Sequence, residues 1–124
     1  MAVQGQRLEP GIVYFQFGQH LSLQDIVDAV NETARISKET GDAQIVIISN
    51  FESGARIPFD LHNIKKLAIS QANIVASITI GAPMMTQIFG RLLERVTTLA
   101  YIDVESQEEA LQAARRILAG EPVH

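Results

Sequence analysis

Four short apolar runs, 12-IVYFQF-17, 44-QIVIIS-49, 74-IVASITI-80 and 98-TLAYIDV-104, recur along this chain, and between them the hydrophobic period lengthens to that of a helix. That alternation constrains the fold more than any other feature. In 44-QIVIIS-49 consecutive β-branched residues point both ways, as in a central strand covered on both faces. Strands separated by helices over short connections imply parallel pairing with right-handed crossovers. The expected fold is therefore α/β: a single-layer, mostly parallel sheet of four to five strands flanked by about four helices. At 124 residues, with no repeat or linker, the chain reads as one domain.

The helices announce themselves through their ends. Ser22 is an N-cap, Asp25 assists it, and Leu23, Ile26, Val27, Val30 and Ala34 form one stripe that Gly41 terminates, giving a helix over about 23–39. Asp60 caps a second stripe of Leu61, Ile64, Leu67 and Ala68. Gly81-Ala82-Pro83 opens a third helix, since proline suits the first helical position. Ser106-Gln107-Glu108-Glu109 has the spacing of a capping box and leads into Ala110, Leu111, Ala114, Ile117 and Leu118, ended by Gly120 and Pro122. Pro10-Gly11 allows a weak edge strand around Val3 to Leu8 to pair with the first strong strand, leaving 1–9 as edge strand or loose terminus and 120–124 as a tail.

Composition closes several functional classes. Without cysteine there is no disulfide, thiolate metal site or cysteine nucleophile. Ten basic residues scattered through a chain of net charge −4 give no footprint for nucleic acid. The three histidines lack metal-ligand spacing, no phosphate-binding glycine loop or hydrolase elbow is present, and no cofactor is implied. The start MAVQGQRLEPG has no basic region followed by an apolar core, and no stretch has the unbroken apolar length of a membrane span, so the expectation is a cytoplasmic protein.

Two candidate sites remain. The connection 49-SNFESGARIPFDLHN-63 holds Ser53, Arg56, Asp60 and His62 near a helix start, where an anion or substrate could meet backbone donors and a cation; its plainer reading is a solvated loop with Asp60 as a cap. The helix at 83–96 carries Met84, Met85, Ile88, Phe89, Leu92, Leu93 and Val96, more apolar surface than one buried face requires. Such a helix is either wedged between sheet and neighbour or covers a ligand cavity, a second subunit or a membrane surface, and methionine adapts to irregular partners.

The phrases 12-IVYFQFGQHLSLQDI-26, 44-QIVIISNF-51, 75-VASITIGAP-83 and 99-LAYIDVESQEEAL-111 together resemble the SpoIIAA-like branch of the STAS-like domains, related to anti-sigma-factor antagonists and similar in fold to lipid-binding CRAL-TRIO domains. In phosphorylated members an aspartate-serine-serine/threonine-glycine-leucine motif follows a central strand. Here Ser53-Gly54 matches two letters of it, while Asp60-Leu61 opens the helix. The resemblance implies a STAS-like domain with no catalytic residues: a regulatory or binding module. Its ligand- or partner-binding residues would be Met84, Met85, Ile88, Phe89 and Leu92, and its partners a protein or a second copy of the chain, with a lipid-like ligand or peripheral membrane contact beside them. Two alternatives stand: a structural homo-oligomerisation domain, and a small hydrolase or transferase using the 52–62 loop.

Overall fold

The computed structural model describes residues 5–18, 22–51, 73–96 and 99–121. Its elements are β1 (Gln6–Glu9), β2 (Ile12–Phe17), α1 (Leu23–Thr40), β3 (Ile45–Phe51), β4 (Ile74–Ile80), α2 (Met84–Val96), β5 (Ala100–Val104) and α3 (Gln107–Leu118). The fold is α/β, with a five-stranded, mostly parallel sheet and three helices among the described residues. The helix expected from Asp60 lies outside them.

The strands lie side by side in the order of the sequence. β1 runs antiparallel to β2, and β2 to β5 are parallel. Because the chain steps the same way from β2 to β3 and from β4 to β5, right-handed crossovers put α1 and α2 on the same face. The two cores agree. Val13, Phe15, Phe17, Ile45, Ile47, Phe51, Ile74 and Leu99 pack with Ala29, Val30 and Ile36 of α1. Their alternates Ile12, Val46, Ile48, Ala76, Ile78 and Ile80 face the other way, against Ala110 and Ala114 of α3. Each fully buried isoleucine contributes roughly 1.5–3 kcal/mol of transfer free energy, so both faces matter to stability.

Local chemistry explains the element ends. The Ser22 hydroxyl accepts from the Asp25 N–H at 3.1 Å, and the Asp25 carboxylate accepts from the Ser22 N–H at 2.9 Å, closing a reciprocal cap on α1. The Ser106 hydroxyl accepts from the Glu109 N–H at 3.2 Å, which is one half of such a cap. Gly11, at φ 80°, turns β1 into β2 where a Cβ would lie 2.9 Å from the Gln44 carbonyl and 3.0 Å from the Leu118 side chain. Only glycine meets both demands.

Helix α3 leaves the C-terminal end of β5 and reaches back to the first hairpin, where Arg115 forms a two-pronged ion pair with Glu9. Where it no longer covers the sheet, the outward side chains become polar: Asn50 donates to the Tyr14 hydroxyl at 3.0 Å, and Tyr14 donates to Gln16 at 2.8 Å. Both sheet edges are obstructed. β1 is four residues long, its register slips between Arg7 and Glu9, and both charged side chains are tied down by Asp42 and Arg115. On β5 the outward N–H of Tyr101 is taken by the Glu94 carboxylate of α2 at 2.9 Å. Short, charged, irregular or covered edges resist pairing with another strand.

Candidate docking surface on the second helix

Helix α2 is fixed at its start by a polar network spanning two strands. Register pairs Thr79 with Asp103 and Ser77 with Tyr101. The Thr79 hydroxyl therefore reaches Asp103 Oδ1 at 2.5 Å and the Tyr101 hydroxyl at 2.8 Å. The same Asp103 oxygen accepts from the Ala82 N–H at 3.0 Å, and Gln87 donates to the Ala82 carbonyl at 2.9 Å. Burial pushes the Tyr101 phenol above its ordinary pKa; its hydrogen bond with Thr79 opposes the rise, the Asp103 charge adds to it and Arg91 opposes it. Among the described residues no buried side-chain nitrogen or oxygen lacks a hydrogen bond.

The middle of the helix rests on an aromatic ring. A Cβ at Gly90 would meet Tyr101 ring atoms at 2.5–2.6 Å, so the α2 backbone sits directly against that ring. Thr86, one turn earlier on the same side, is buried. The opposite side is then fixed by helix geometry. Met84, Ile88, Arg91 and Arg95, at spacings of 4, 3 and 4, fall within about 60° of arc facing away from the sheet. Met84 is 77% and Ile88 44% exposed, and both arginines are exposed. Leu92, beside the stripe, is half-buried.

Electrostatics distinguishes the two arginines. Arg7, Arg35 and Arg115 each hold a carboxylate. Among the described residues, Arg91 and Arg95 make no ion pair, and Glu94 of the same helix accepts instead from the Tyr101 N–H. Lys38 and Arg116 also lack an ion pair, but each stands singly rather than in line with exposed apolar side chains.

Of the residues expected to bind, Met84 and Ile88 lie on this outward stripe, and Leu92 flanks it. Met85 and Phe89 belong to the same helix, but their side chains lie outside the described residues, as do Ser53, Arg56, Asp60 and His62. Asp103, a single acid within the fourth apolar run, ties the start of α2 to β4 and β5. Sequence reasoning also passed over Gly90 and the two arginines. An isolated glycine in a helical run signals close packing, and counting charged as well as apolar positions along the stripe would have found Arg91 and Arg95.

The order β2-β3-β4-β5 never reverses, so these strands create no topological switch point, the place where open α/β sheets form their ligand crevice. Among the described residues no group of three or more histidines or carboxylates could hold a metal ion, and no helix is long and apolar enough to cross a membrane. Compared with protein-family models, curated proteins and solved structures, the chain gives no match.

Proposed function

We propose that this chain is a non-enzymatic regulatory or binding module of the STAS-like, SpoIIAA-like kind, which docks a protein partner on the outer face of α2. One observation carries the reading: Met84 and Ile88, large hydrophobic side chains one turn apart, are exposed on a helix whose other side is anchored to β5. The obstructed edges favour a helical face over strand addition as the means of association. Both side chains are already partly covered, so burying them contributes at most about 3–6 kcal/mol, which offsets only the lower end of the roughly 4–15 kcal/mol cost of association. The stripe therefore acts with neighbouring contacts and suits a reversible, regulatory encounter rather than a permanent complex.

The test is position-specific photo-crosslinking in the cells that make the protein. A crosslinker at Ile88 is expected to give a discrete adduct that Met84→Asp abolishes, while one at Gln112, exposed on α3, gives none. Identical adducts from both positions, no adduct at Ile88, or adducts only of twice the chain mass would overturn it; the last result points to a structural homo-oligomer.

A further inference from the structure

The proposed docking role leaves the chemistry of the partner open, and the outer stripe of α2 restricts it. Two exposed apolar side chains, Met84 and Ile88, are followed along the same line by two exposed arginines, Arg91 and Arg95, which make no ion pair among the described residues. Each pair is one turn apart. The whole stripe extends about 16 Å, three turns of helix. An occupant that covered the apolar half and ignored the basic half would desolvate guanidinium groups without pairing them, which is unfavourable.

We infer that the surface takes an acidic amphipathic helix of a partner protein, with two apolar side chains a turn apart over Met84 and Ile88 and two carboxylates a turn apart over Arg91 and Arg95. This rests on the docking role of α2. Helix in groove or against helix is the recognition mode read through i, i+4 and i+7 anchors, and a guanidinium fork matches a carboxylate with two hydrogen bonds.

Charge discriminates against the other occupants. Two copies packed stripe to stripe about a two-fold axis would bring four arginines into one interface, and the stripe itself bears no carboxylate. An anionic membrane attracts a juxtaposed basic residue by about 1 kcal/mol, so two arginines supply about 2 kcal/mol. The chain's net charge of −4 opposes approach to any anionic partner, and a lipid-binding patch gathers about four to eight basic residues where this stripe holds two. An acidic helix needs only the local match, within a Debye length of about 8 Å at physiological salt.

The experiment uses the full chain and synthetic alanine-based helical peptides carrying two leucines one turn apart and two glutamates one turn apart at the stripe's spacing, made in both chain directions, with lysine replacing glutamate as control. Binding is read by fluorescence anisotropy, and circular dichroism verifies that every variant is folded. The expected result is that one glutamate peptide binds at least about tenfold more tightly than its lysine counterpart, a preference that weakens at about 0.5 M salt. Arg91→Glu with Arg95→Glu should reverse it, so that the lysine peptide binds better. Equal binding of both peptides overturns the acidic partner while leaving apolar docking intact. Failure of both peptides with a persistent Ile88 crosslink overturns it in the same way, whereas loss of the crosslink removes the docking role itself. Co-sedimentation with phosphatidylserine vesicles, abolished by the two glutamate substitutions and unaccompanied by peptide binding, transfers the surface to lipid.

Discussion

Helices α2 and α3 follow consecutive strands of one sheet, are nearly equal in length, and have finished their outer surfaces in opposite ways. α3 presses two alanines, Ala110 and Ala114, flat against the sheet, shows water Glu108, Glu109, Gln112 and Arg116, and pairs Arg115 with Glu9. α2 is held on its inner side by Tyr101, Glu94 and the Thr79–Asp103 network, yet its outer side shows Met84, Ile88 and two arginines that make no ion pair among the described residues. Both helices are anchored. The contrast lies in what they offer the solvent, and it locates the unsatisfied surface on α2.

The largest expected effect tests that contrast directly. Ala114→Asp places a carboxylate where the side chain is fully buried, and should cost about 3–5 kcal/mol, enough to unfold much of the population. Met84→Asp should change stability by less than about 0.5 kcal/mol. Urea unfolding of the two variants checks both, and comparable losses would break the distinction between scaffold and working surface. Gly90→Val comes next: its side chain collides with the Tyr101 ring and should cost about 1–3 kcal/mol, read from the same transition. A neutral outcome would mean that α2 can lift off β5.

Much of this was legible beforehand. The strands are runs of β-branched residues, a signal strong enough that Ile74–Ile80 begins and ends where the pattern places it, and caps at Ser22 and Ser106 mark helix starts because short polar side chains satisfy exposed N–H groups there. β1 reads QRLE and pairs through its backbone, so its side chains announce little. The orientation of α2 was not legible from its many apolar positions, since a helix apolar over most of its surface does not say which side meets the sheet. The Thr79–Tyr101–Asp103 contacts join residues more than 20 positions apart and depend on strand register, which local patterns do not encode. That network offers a finer test of the inner side of α2. Tyr101→Phe keeps the ring beneath Gly90 and deletes only the hydroxyl, and should lower the urea midpoint by the equivalent of about 0.5–1.5 kcal/mol with an unchanged slope.

The smallest effect belongs to the hairpin side of the molecule, away from α2. The Arg7 guanidinium, with help from the Gly11 N–H, holds Asp42 well below the usual carboxylate range, at about 2 against 3.8. Its depressed folded-state value means that the stabilisation is fully present above about pH 4 and is lost as pH falls towards 2. Asp42→Asn should flatten the stability-versus-pH curve in that window, by an amount in the about 0.2–1 kcal/mol class of surface ion pairs. An unchanged acid limb would assign the acid sensitivity to other carboxylates.

The ion pair between Glu9 and Arg115 joins residues 106 positions apart, and Leu118 packs against Gly11. The strands are laid down in the order in which they are synthesised, so a nascent chain can pair each new strand with the one just made. Among the described helices, only α3 lies on the face of Ile12, Val46, Ile48, Ile78 and Ile80, so that face is closed after all five strands have been made. A chain made only as far as β5 thus lacks that cover, and exposed aliphatic sheet is the kind of surface that chaperones recognise.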